Sequence, residues 1–160
     1  IKSSDGQWWM MDSDGRVVEQ ANNAKAATAT QVLGVTLEAP TVNEKGVATE
    51  MTPSETNELG ELIPVTTTGA QRLTAALQIL KALENNDIVG EAASVDVTST
   101  EDIILWYGTR YQVNLGDTSR LDYKVDCMND AILQMSDYQS GVLDISFTIW
   151  PNQVGYTPFA

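Results

Sequence analysis

LGDTSRLDYKVDCMNDAILQMSDYQSGVLDISFTIWPNQVGYTP, residues 115–158, decides the fold: strand end, turn, amphipathic helix, second turn and two final strands. Asp117 or Thr118 caps the helix. Its inner face runs Leu121, Val125, Met128, Ile132 and Met135, at alternating spacings of four and three residues. Gly141 then releases the chain into residues 142–149, where β-branched and aromatic residues alternate with polar ones. Pro151 and Asn152 allow a turn into a short last strand at residues 154–157.

The preceding chain supplies the elements this stretch packs on. Strand patterns cover residues 91–98, 103–107 and 111–115, and Gly108-Thr109-Arg110 makes a tight hairpin turn between the last two. Before them a helix runs from Thr68 or Gly69 to Asn85, with Leu73, Ala76, Leu77, Leu80 and Leu83 on one face. Residues 31–37 form a strand in which Gly34 marks a bulge or a close backbone approach. Residues 7–19 form a hairpin, because Asp14-Gly15 supplies the positive backbone dihedral such a turn needs. The small, polar residues 21–30 and the Thr-, Glu- and Pro-rich residues 39–61 read as loops, and high mobility is expected around residues 43–60.

The order predicts an α+β fold: a mixed, largely antiparallel sheet with two helices packed on one face, in a single domain spanning residues 1–160. The last strand is the free edge, since no later segment remains to cover it.

A hydrophobic share of 42% over 160 residues suffices for a packed core. The net charge of −13, from 22 acidic and 9 basic residues, argues against nucleic acid and against an anionic membrane surface. With no histidine in the chain, a Ser-His-Asp triad, a Cys-His pair and a His-based zinc site are all excluded within it. Cys127 is alone, so it makes no internal disulfide and reads as a packing residue. No run is long enough to cross a bilayer, and the start at Ile1 reads as that of a fragment.

An enzyme here would have to use carboxylates. Asp96 in SVDV and Asp144 in LDIS lie mid-strand between apolar neighbours and form the candidate pair for acid-base hydrolysis. Strand alternation explains them more simply as polar-face residues. Asp12-Ser13-Asp14-Gly15 resembles the start of a calcium loop, but its flanks read as strands where a calcium loop needs helices. No glycine-rich phosphate loop and no cofactor motif occurs. Trp8 or Trp106 suits ligand stacking, which makes an extracellular ligand- or glycan-binding domain the alternative reading. Residue chemistry alone thus favours a binding or scaffolding module over an enzyme.

Four segments in order carry a resemblance: WWMMDSDGRVVEQ, VLGVTLEAPTVNEKG, QRLTAALQILKAL, and YQVNLGDTSRLDYKVDCMNDAIL followed by VLDISF. Together they resemble the extracytoplasmic β-domain of the bacterial cell-division family FtsQ/DivIB. The polar insertion at residues 42–60 departs from compact members. The resemblance implies a non-enzymatic divisome scaffold without cofactor or metal. It would be anchored in the cell membrane by a single helix, which with a cytoplasmic tail and a POTRA domain is not in this sequence. Its expected partners are FtsB/DivIC-like and FtsL-like proteins, docking by strand addition at the C-terminal edge. Carried onto this chain, that edge is Phe147, Ile149, Trp150, Val154, Gly155 and Tyr156.

Overall fold

The computed structural model describes residues 1–50, 59–60, 68–148 and 151–159. In chain order its elements are β1 (Lys2–Ser3), β2 (Trp8–Met11), β3 (Val17–Ala21), α1 (Asn23–Ala27), β4 (Gln31–Leu33), β5 (Thr36–Leu37) and α2 (Gly69–Asn85). A 3₁₀ turn at Val89–Glu91 leads to β6 (Ala92–Asp96), β7 (Ile103–Tyr107), β8 (Tyr111–Gly116), α3 (Leu121–Gln134), β9 (Gly141–Asp144) and β10 (Gly155–Pro158). The fold is α+β, as expected, with helices packed against a sheet.

The strands form two sheets where one was expected. One has the order β3-β2-β1-β5 and the other β10-β9-β8-β7-β6-β4. Most pairs are antiparallel; β1–β5, β4–β6 and β8–β9 are parallel. The division falls inside the single strand predicted at residues 31–37. Gly34, at φ +89°, turns the chain out of the large sheet after Leu33 and into the small one at Thr36. A Cβ at Gly34 would stand 2.5 Å from the Thr98 amide nitrogen, so this is the close approach that favours glycine.

The large sheet buries alternate residues on the helical side. In β8, Tyr111, Val113 and Leu115 are fully buried while Gln112 and Asn114 are half-buried. They join Leu105 and Leu143 in one cluster with Leu73, Ala76, Ile79 and Leu83 of α2 and Val125 and Met128 of α3.

Helix α2 starts at a capping box. Thr68 Oγ1 accepts from the Gln71 amide at 3.1 Å, and Gln71 Oε1 accepts from the Thr68 amide at 2.9 Å. The short helix α1 replaces part of the loop expected at residues 21–30. There the Asn22 side chain accepts from the Lys25 amide at 2.8 Å, a cap hidden in an alanine-rich run.

Helix α3 also departs from expectation, because neither Asp117 nor Thr118 caps it. Arg120 stands at the cap position in the left-handed region, φ 54°, without a capping side chain. Asp117 instead accepts from the Ser119 amide and hydroxyl and from Lys124 Nζ. Lys124 is 1% exposed, the one charged group of α3 turned into the core. Its other hydrogen bond, 3.0 Å long, goes to the Asp117 main-chain oxygen.

The strand expected over residues 142–149 ends at Asp144. Asp144 Oδ1 accepts from the Ser146 amide at 3.0 Å and the Ser146 hydroxyl at 2.6 Å, a local turn that competes with the ladder. Phe147 then adopts φ 61°. Ile149 and Trp150 lie outside the described residues.

The presumed loop after Pro40 begins as a brace for the small sheet. The Val17 amide donates to Glu44 O at 2.9 Å, the Glu38 amide to Val47 O at 2.8 Å and the Thr49 amide to Thr36 O at 2.8 Å. Both outer strands of that sheet are bonded to residues 43–49 in this way. Residues 51–58 of the stretch expected to be mobile lie outside the described residues.

Candidate functional site

Strand β10 ends the large sheet, antiparallel to β9, and among the described residues no strand lies on its outer side. The direction of each main-chain group follows from the register. The amides of Gly141 and Ile145 donate to Arg110 O and Asn114 O of the β8 side, each at 3.0 Å. The intervening residues Val142 and Asp144 therefore face β10, opposite Thr157 and Gly155. The Phe159 amide, donating to Ser140 O at 3.3 Å, continues that alternation.

Tyr156 and Pro158 thus direct their main-chain groups away from the sheet. Tyr156 offers both an N–H and a C=O. Pro158 offers only a C=O, since proline has no amide hydrogen. Proline at such a position blunts an edge against indiscriminate pairing and leaves Tyr156 as its residue with both groups.

The Tyr156 side chain fixes the strand from the other direction. Its hydroxyl donates to Ser140 O at 3.0 Å, and its ring crosses Gly141, where a Cβ would come within 2.8 Å of Cε2. Farther along, Phe159 stacks on Trp106 of β7 with ring centroids 6.1 Å apart.

Of the six residues assigned to this edge, Gly155 and Tyr156 lie on β10 itself and Val154 just before it, half-buried against the core. Phe147 does not share the strand: it packs on Tyr123 of α3, ring centroids 5.7 Å apart. Ile149 and Trp150 fall outside the described residues. Gly141, Arg120 and Tyr123 were missed. Gly141 stands opposite Pro158 and diagonal to Tyr156, whose ring crosses it, a relation that is legible only once the two strands are paired in register.

The other candidates are less well formed. Asp96 and Asp144 lie in one row, Asp96–Ile104–Asn114–Asp144, across three strand spacings. At about 4.8 Å per spacing this is about 14 Å, against the roughly 5–9.5 Å that paired glycosidase carboxylates need. Asp12 Oδ1 accepts from the amides of Asp14 and Arg16 at 3.0 and 2.9 Å, so its carboxylate serves the hairpin turn. Among the described residues no group of three or more metal-ligating side chains occurs.

A cavity of about 330 Å³ lies between the small sheet and α2, with Trp9, Met11, Leu77 and Leu80 among its lining residues. At its margin the Ser13 hydroxyl donates to Glu84 Oε2 at 2.7 Å. Trp8 also lines it, with Lys2 Nζ 5.0 Å from a Trp8 ring centroid. Trp106 is stacked by Phe159, so neither tryptophan presents a bare platform for a sugar. No helix among the described residues is long and apolar enough to cross a membrane.

Comparison with protein-family models, with curated proteins and with solved structures finds no match in any of the three.

Proposed function

We propose that this chain is a non-enzymatic docking domain that adds an extended segment of a partner protein to β10. The observation that carries the reading is the outer side of Tyr156: its N–H and C=O face away from β9 with no neighbouring strand among the described residues. Main-chain pairing supplies register and much of the affinity in such complexes, and flanking side chains supply selectivity.

The ordered sequence resemblance gives this docking domain its setting: a scaffold of bacterial septum formation in the FtsQ/DivIB manner. Its partners are then FtsB/DivIC-like and FtsL-like division proteins. The domain would lie on the extracytoplasmic side of the cell membrane, held there by a helix outside this sequence.

The test separates main chain from side chain. Tyr156→Pro removes the outward N–H together with the ring, and leaves the main-chain bonds to β9, which Tyr156 does not make. Tyr156→Ala keeps the N–H and removes the ring. Capture of the FtsB/DivIC-like ectodomain from the same genome should weaken at least about tenfold in Tyr156→Pro, the worth of one or two hydrogen bonds. The loss should be smaller in Tyr156→Ala, with the circular dichroism of both variants unchanged. Undiminished capture by Tyr156→Pro would refute the reading.

A further inference from the structure

Three non-glycine residues near the docking edge share the left-handed backbone region: Arg120 at φ 54°, Phe147 at φ 61° and Asn152 at φ 55°. Asparagine tolerates this conformation, whereas arginine and phenylalanine adopt it at a steric cost. They come from three places in the chain: the start of α3, the residues after β9 and the residues before β10.

All three meet at one guanidinium. Arg120 Cζ lies 4.5 Å from the Tyr123 ring centroid and 5.4 Å from that of Phe147, and Arg120 Nη1 donates to Asn152 Oδ1 at 2.8 Å. A flat cation can lie against two rings and hydrogen-bond at its rim at the same time; an ammonium cannot reproduce that geometry. Backbone conformations of this kind persist where surrounding contacts over-determine them, and they gather at sites that must be held in one arrangement.

We propose that Arg120 is a positioning residue: its guanidinium ties the connection between β9 and β10 to α3 and so holds β10 on β9 as a ready docking edge. The far end of β10 is fastened separately, through Tyr156 to Ser140 and through Phe159 to Trp106. At the near end, Asn152 to Arg120 is the corresponding fastening. The consequence for docking rests on the proposed function; the fastening of β10 does not.

Hydrogen exchange read by mass spectrometry tests the two parts separately. Arg120→Asn keeps a residue suited to the left-handed backbone but removes the guanidinium, Arg120→Lys keeps the charge, and Asn152→Gly removes the acceptor at no backbone cost. In each, the amides of residues 153–159 that are bonded toward β9, those of Gly155, Thr157 and Phe159, should exchange about tenfold faster, while those of α2 and β6–β8 keep the parent rates. Affinity for the FtsB/DivIC-like ectodomain should fall by a similar factor. Parent exchange rates at residues 153–159 in Arg120→Asn and Asn152→Gly would overturn the proposal. Faster exchange with unchanged affinity would support the fastening and count against docking at β10.

Discussion

Lys124 and Asp117 form an unequal pair, and the inequality sets the sign of a mutational comparison. The lysine is 1% exposed and its partner's side chain 59% exposed, at an Nζ to Oδ1 distance of 3.1 Å. Asp117→Ala leaves a buried ammonium with the main-chain oxygen of residue 117 as its remaining hydrogen-bond partner. Removing one member of a buried pair costs about 3–5 kcal/mol, and the retained carbonyl bond brings the expected cost to about 2–3 kcal/mol. Lys124→Met removes the charge itself, keeps an apolar stem in the same space, and leaves Asp117 solvated with Ser119 still donating to it. Its expected effect is within about 1 kcal/mol of zero. Urea unfolding, followed by tryptophan fluorescence and circular dichroism, measures both as shifts in midpoint at constant slope. A Lys124→Met variant less stable than Asp117→Ala would refute the reasoning, because the lysine would then be contributing net stability instead of depending on its partner.

The same pair predicts an acid limb. The Ser119 hydroxyl first, and Lys124 next, hold the Asp117 carboxyl at about 2, below its ordinary 3.8. Because the folded value is the lower one, the stabilisation is present above about pH 4 and is lost as pH falls toward 2. The shift is equivalent to about 2.4 kcal/mol, which solvent screening of so exposed a carboxylate reduces to about 1 kcal/mol; Asp117→Ala should flatten the stability curve between pH 4 and 2 by that amount. Gly34→Ala combines a backbone at φ +89° with a Cβ 2.5 Å from the Thr98 nitrogen. It should cost about 3 kcal/mol or more in urea unfolding, and a loss under 1 kcal/mol would show that the crossing between sheets is adaptable. Thr68→Ala removes one side of the capping box and should cost about 1 kcal/mol, a fall in melting temperature of about 2–4 °C.

Local periodicity made most elements readable. Leu73, Ala76 and Leu83 are buried on α2 as their spacing predicts, and Val125 and Met128 are buried on α3. Leu77 and Leu80, read as the same inner face of α2, are only half-buried and line the cavity beside the small sheet. What periodicity could not show was decided by contacts between distant residues. Gly34 announced a close approach, but nothing near it in sequence says that Thr98 is the neighbour or that the chain changes sheets there. Lys124 lies three residues after Leu121 and four before Met128, on the inner stripe itself, and nothing in that spacing says that the turn at Asp117 supplies the oxygens its ammonium needs there. The alternation of residues 142–149 continues past Asp144, yet the Asp144 side chain captures the Ser146 amide and ends the strand early.

The edge itself was legible as a consequence of order: the last strand joins beside β9, and among the described residues no strand lies on its outer side. Its detail was not. Which of Val154, Gly155 and Tyr156 faces outward depends on the β8–β9–β10 register, a fact of three strands at once.

The most direct measurement is the exchange rate of the Tyr156 amide, followed by NMR without and with the FtsB/DivIC-like ectodomain. Main-chain docking at β10 predicts an amide that exchanges freely in the isolated chain and becomes protected in the complex, while Gly155 and Thr157, already bonded to β9, change little. A Tyr156 amide protected before any partner is added, or one still exchanging freely at saturation, would contradict it.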